Sequence, residues 1–170
     1  NSVDSVQFLI DGQRVSSATN TPYEFTWNSI THADSMEHDI SAKAFDPAEN
    51  TGESHAVAVV VVPAVISFGD DVQPIFSVNC AVSGCHNAAT ATQGLSLESN
   101  DAHANIVDRP SSEMQSLDRI EPGDPANSFL YLKLNPSPPS GQRMPFGGPY
   151  LSEEQILTIR FWIEQGAQNN

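Results

Sequence analysis

Positive charge is what this sequence most lacks. Its 170 residues hold 7 Lys+Arg against 21 Asp+Glu, a formal net charge of −14. Nucleic acid and anionic membrane surfaces both require a basic footprint, so neither is expected as a partner. Cysteine is scarce too: two residues exclude a disulfide-rich scaffold and a four-cysteine zinc site. Long apolar runs are missing. The longest, Ala56 to Ile66, is Val-rich and broken by Pro63, well short of the roughly 20 residues a spanning helix needs. With no initiating Met, basic n-region or apolar h-region, the chain reads as a mature or trimmed product. No paired-carboxylate or Ser/His/Asp spacing rises above chance.

What is present falls into two halves of different period. Before Pro63 the pattern alternates: Val6, Phe8 and Ile10 precede the turn signal Asp11-Gly12, and Arg14 to Ser17 form a short return. Tyr23, Phe25 and Trp27 alternate again, as do Ile40, Ala42 and Ala44, and then Val57, Val59 and Val61. These predict about five strands of a β-sandwich, too few to complete one. After Pro63 the spacing becomes helical, from Val72, Ile75, Phe76 and Val78 into Cys80. Shorter helices are predicted over Ser99 to Ile106 and Ser128 to Leu134, with a Pro/Gly-rich loop from Asn135 to Pro149. Ser152 and Gln155 form a capping box for a final helix with Ile156, Ile159 and Ile163 on its buried stripe, stopped by Gly166. The expected division is an all-β domain over 1–63 and an all-α domain over 64–170, with a linker near Pro63 to Phe68. Residues 1–63 set Arg14 and Lys43 against nine acids, and residues 64–170 five basic against twelve acidic residues, so each half carries half the charge.

The chemistry concentrates in Cys80-Ala81-Val82-Ser83-Gly84-Cys85-His86. Three readings stand side by side. The cysteines close a small loop as a disulfide; they hold zinc with His86, one ligand short; or they bond a haem covalently, with His86 on the iron, at a spacing two residues longer than C-x-x-C-H. A second axial ligand has a candidate in Met144, within Gly141-Gln142-Arg143-Met144-Pro145-Phe146-Gly147-Gly148.

Residues Phe68 to Ala167 resemble the single-haem cytochrome c domains of bacterial exported proteins, including the planctomycete type. The resemblance is carried by Val72-Gln73-Pro74-Ile75-Phe76 before Cys80 and Cys85-His86, then Gly94-Leu95-Ser96-Leu97, then Arg119-Ile120-Glu121-Pro122-Gly123-Asp124-Pro125 with Ser128-Phe129-Leu130. Arg143-Met144-Pro145 and Leu151-Ser152 through Trp162-Ile163-Glu164-Gln165-Gly166-Ala167 complete the motif order. It implies one covalent haem c and a cytochrome c fold. Cys80 and Cys85 would be the thioether positions, His86 the proximal ligand and Met144 the distal one, with His103 and Met114 as rivals for the distal position. Arg119 and Arg143 are then candidates for the propionates. Phe76 and Trp162 would pack on the macrocycle or at the helix crossing.

The first half resembles bacterial immunoglobulin-like modules of surface proteins. The residues that carry this are Val6-Gln7-Phe8-Leu9-Ile10-Asp11-Gly12, Thr21-Pro22-Tyr23-Glu24-Phe25-Thr26-Trp27, His38-Asp39-Ile40-Ser41-Ala42-Lys43-Ala44 and Asp46-Pro47-Ala48-Glu49-Asn50-Thr51-Gly52. That family usually has two more strands ahead of the position of Asn1. They lie upstream, were removed by processing, or are supplied by a neighbouring subunit through strand complementation. His32, His38 and His55 are expected at the surface, with ligation of a neighbour's haem as the alternative. The Asp46 to Glu53 turn is a solvated turn or a Ca²⁺ loop. The resulting expectation is an exported electron-transfer protein (periplasmic, cell-surface or extracellular) that is not an enzyme and meets redox partners with basic docking surfaces. A filament or cell-surface subunit and a peroxidase-like haem enzyme are the alternatives.

Overall fold

The computed structural model describes residues 2–32 and 36–170. The chain forms two compact units, Asn1–Pro63 and Ala64–Asn170.

The first unit is one antiparallel sheet. Strands β1 (Ser5–Ile10) and β2 (Gln13–Ala18) form a hairpin. Its turn residues Asp11 and Gly12 both adopt positive φ, 50° and 74°, the geometry a two-residue hairpin of matching twist demands. β3 (Glu37–Phe45) pairs with β1 in a register that sets Val6, Phe8 and Ile10 opposite Ala44, Ala42 and Ile40. β4 (Thr51–Glu53) and β5 (Val57–Val60) both pair with β3, at its two ends. The strand order is β2-β1-β3-β4, with β5 beside β3.

Two expectations are corrected here. The unit is a single sheet among the described residues, not two facing sheets, and Ile10 is its one fully buried apolar side chain. Tyr23 to Trp27 is not a strand. Instead Phe25 stacks on Phe8 with ring centroids 5.7 Å apart, and Tyr23 Oη donates to Val3 O at 2.8 Å. The alternation there reflects one-sided contact with the sheet, not strand pairing.

The second unit is helical with long loops. A π-helical turn, Phe68–Val72, runs into α1 (Gln73–Asn79). α2 (Ala102–Ile106), α3 (Phe129–Leu132) and α4 (Glu153–Glu164) follow. α4 starts at the predicted capping box, Ser152 Oγ accepting from Gln155 N and Gln155 Oε1 from Ser152 N. It ends in a Schellman arrangement: Gly166 (φ 94°) N donates to Ile163 O and Ala167 N to Trp162 O, both at 2.9 Å. The buried face of α4 (Ile159, Trp162, Ile163) meets Phe68, Val72, Phe76, Ile106 and Ile120 in one apolar core. The unit's two ends are tied together, Gly69 N and Ser67 Oγ both donating to Asn170 O. Among the described residues no helix is long and apolar enough to cross a membrane.

Candidate functional site

The Cys80–His86 segment leaves α1 and folds back on itself. Cys80 N continues the helix by donating to Phe76 O at 2.9 Å. Cys85 N then donates to Val82 O at 3.0 Å, closing a turn in which Gly84 occupies the third position with φ 83°. Type II turns require a left-handed residue there, which glycine adopts without strain. His86 N returns to Cys80 O at 3.0 Å, so the five residues from Ala81 to Cys85 loop back and bring His86 beside the first cysteine.

His86 Nδ1 donates to Leu95 O at 3.2 Å. That bond fixes the tautomer and leaves Nε2 with its lone pair for a ligand. Leu97 N donates to His86 O at 2.8 Å and holds the segment from its other side. Cys80 and Cys85 are free thiols, both half-buried. The disulfide reading is therefore replaced by backbone closure. Burial pushes the Cys80 thiol up to about 12, with Cys85 nearby adding to the effect. Cys80 is thus a neutral thiol at pH 7, not a reactive thiolate. Among the described residues no three His, Cys, Asp or Glu side chains form a metal-ligand group, so zinc lacks its ligand set.

Cys80 and His86 open on a cleft of about 730 Å³, counting the space open at its mouth. Phe76, Leu95, Leu97, Phe129 and Leu134 give it apolar walls. Met144 also lines it, held by Met144 N donating to Lys133 O at 2.8 Å. Arg119 reaches the same cleft, with Nη1 donating to Asn105 O at 2.7 Å. Burial, then the nearby Arg109, lowers the Arg119 pKa, and no carboxylate pairs with it among the described residues.

The remaining predicted residues lie elsewhere. Cys85 is next to His86 in the chain but off the cleft wall. Arg143 is off it as well: Nε donates to Leu134 O at 2.8 Å, and the guanidinium stacks on Tyr150 at 4.0 Å. Trp162, 1% exposed, belongs to the core, against Phe68 at 5.1 Å, with Nε1 donating to Gln168 O. His103 is spent in that same core, its Nε2 donating to Ala167 O at 2.8 Å. Met114 is half-buried and off the cleft. In the first unit His38 is buried, contrary to the surface expectation, because Nδ1 donates to Asp11 Oδ2 at 2.7 Å and Nε2 to His32 O at 3.2 Å. His32 is half-buried and His55 exposed. Asp46 closes its own turn, accepting from Ala48 N, Asn50 N and Asn50 Nδ2, so its carboxylate serves the backbone.

The sequence reading missed Lys133 and Glu113, which line the cleft as an ion pair at 3.0 Å. Twenty residues separate them, and no local pattern joins them. Gln73 was also missed. Buried in α1, its Nε2 donates to Leu97 O and Ser77 Oγ and so pins the strand-like stretch after His86.

Compared with known proteins, residues 1–59 match the bacterial Ig domain family. Bacterial Ig-like domains are typically extracellular or surface-exposed. No curated protein matches the chain. No solved structure matches it either.

Proposed function

We propose that this chain is an exported electron-transfer protein whose C-terminal unit holds one haem c, ligated by His86 and Met144 and bonded through Cys80 and Cys85. One observation carries the reading. Cys80 and His86 line the same apolar cleft as Met144, which comes from a distant stretch of sequence, with His86 Nε2 left free by the Leu95 bond.

The residues fit the group on three counts. The donor set is one imidazole and one thioether, the pair that suits low-spin haem iron. The walls are apolar, as a macrocycle's faces require. Arg119 is a guanidinium with only carbonyl partners at the edge of an apolar cleft, which suits an anionic substituent. When bound, such a group supplies one-electron iron chemistry, with the thioether favouring the reduced state. The protein's own part is to orient His86 through Leu95 O and to hold Met144 on Lys133 O. Phe76, Leu97, Phe129 and Leu134 exclude water. A methionine on the cleft wall favours a carrier over a peroxidase-like enzyme with an open distal position. The acidic surface then suits partners with basic docking faces.

The test is a pyridine haemochrome spectrum and intact mass after production in an exporting host with cytochrome c maturation. One covalent haem per chain is expected. Met144→Ala should lower the midpoint potential and remove the sulfur-to-iron absorption band. A correctly matured chain without covalent haem refutes the proposal.

A second reading, a subunit of a cell-surface or filamentous assembly built by strand complementation, is favoured by the uncovered first unit. Its sheet has one fully buried apolar side chain, while Val57 and Val60 on β5 are 61% and 58% exposed. Size-exclusion chromatography and electron microscopy decide it: a monodisperse monomer at native concentration eliminates the assembly.

A further inference from the structure

We propose that Lys133 and Glu113 form a latch over Gly141 whose task is to position Met144; the inference rests on the haem reading above. Lys133 ends α3 with only 5% of its surface exposed, in a chain where cations are few. Its Nζ donates to Glu113 Oε2 and to Ser140 O, each at 3.0 Å, and lies 5.5 Å from the centre of the Phe129 ring. One ammonium therefore joins three segments: α3, the loop that bears Glu113, and the Pro/Gly-rich loop that bears Met144.

The third segment is gripped at two further points. Met144 N donates to Lys133 O at 2.8 Å, and Arg143 Nε donates to Leu134 O at 2.8 Å. Just before them Gly141 adopts φ 65° directly against the ion pair. A Cβ there would lie 2.6 Å from Lys133 Nζ and 2.7 Å from Glu113 Oε2. A side chain at 141 must displace the ends of Lys133 and Glu113 or move the loop, and φ 65° strains any L residue placed there. Glu113 is itself anchored, its N donating to the Oγ of buried Ser111 at 3.2 Å.

A flexible thioether on a loop is a weak ligand unless the loop is held. Lys133, Glu113 and Met144 all line the cleft, so the latch acts at the ligand and not at a remote surface. An exposed ion pair would contribute little. This one has a nearly buried ammonium, and its loss frees the loop before it unfolds the helices. Lys133 and Glu113 are thus positioning residues for Met144.

The experiment compares haem-loaded wild type with Gly141→Ala, Glu113→Ala and Glu113→Gln, with haem content checked by haemochrome. The readouts are the sulfur-to-iron band and the apparent affinity for added imidazole, which binds only where Met144 has left. Gly141→Ala and Glu113→Ala should weaken the band and tighten imidazole binding by about tenfold, in proportion to the larger Met144-off population. Glu113→Gln, whose amide oxygen still accepts from Lys133, should stay nearer wild type. The helical melts of all four should remain cooperative. A full-strength band and imidazole affinities within about twofold of wild type in both disruptive variants overturn the latch. Haem-loaded wild type without the sulfur-to-iron band overturns Met144 as ligand and the latch with it. Wild type without covalent haem overturns the haem reading itself.

Discussion

Trp162→Ala separates a core role from a cofactor role for the residue. The side chain is 1% exposed on α4, its ring 5.1 Å from Phe68 and 6.0 Å from His103 by centroid. Removing a buried indole costs the transfer of its apolar surface plus the cavity left behind, about 3–5 kcal/mol. The lost hydrogen bond to Gln168 O adds little, because Gln168 is exposed and water replaces the donor. A unit of roughly a hundred residues gains about 0.2 kcal/mol per kelvin of unfolding entropy, so Tm should fall by about 15–25 °C. Thermal unfolding followed by helical circular dichroism on the haem-loaded protein measures it, and absorption spectra check the cleft. Iron ligation should survive at low temperature, since Trp162 does not line the cleft. A Tm drop below about 5 °C, with loss of the ligation spectrum instead, would sink the reasoning and put the indole on the cofactor.

Three further outcomes follow from the same geometry. Ser128, fully buried, donates Oγ to Asp124 O at 2.8 Å and accepts from Glu121 N at 2.9 Å. Ser128→Ala strands Glu121 N, while Asp124 O keeps Asn127 N, and should cost about 1–3 kcal/mol by urea unfolding; an unchanged midpoint contradicts this. Ser152→Ala removes the α4 cap and should cost about 1 kcal/mol by the same measurement, a loss that Ser152→Asp should largely restore. In the first unit the bond from His38, with one from Asp39 N, lowers the Asp11 carboxyl below its ordinary 3.8. Its contribution is therefore complete above pH 3.8 and is lost as pH falls through the lower folded value. Fluorescence of Trp27, 6.5 Å from His38, should report this acid transition. Asp11→Asn should flatten the transition, and an unaltered acid profile in that variant argues against the pair.

What the sequence disclosed was local. The α4 cap, its glycine stop and the Asp11-Gly12 hairpin each depend on residues within four positions of one another, and all three formed. Tyr23 to Trp27 misled because alternation registers one-sided contact, and stacking on Phe8 satisfies that as well as a strand does. Arg143 is next in the chain to the cleft residue Met144 yet stacks on Tyr150, and Trp162 sits on α4, which lends no residue to the cleft and packs it into the core. Sequence proximity to a ligand gives no side-chain direction. The Lys133–Glu113 pair was illegible for the opposite reason: only the folded loops bring the two together.

Scarcity of cations makes their positions informative. The helical unit has five basic residues against twelve acids, and two of the five line one apolar cleft. Withdrawing a cation from water is costly unless a counter-charge receives it. Lys133 has Glu113, which accounts for it within the protein. Arg119 has only the carbonyls of Asn105 and Gly94, with Arg109 as a like-charged neighbour. In a chain this acidic a carboxylate was the easiest partner to supply, and none is there among the described residues. An anionic substituent of the proposed haem would resolve that imbalance. A zinc ion would worsen it, and a disulfide would leave it untouched. The electrostatics of Arg119 thus favour, independently of the Cys80–His86 spacing, the same member of the three readings with which the cysteines began.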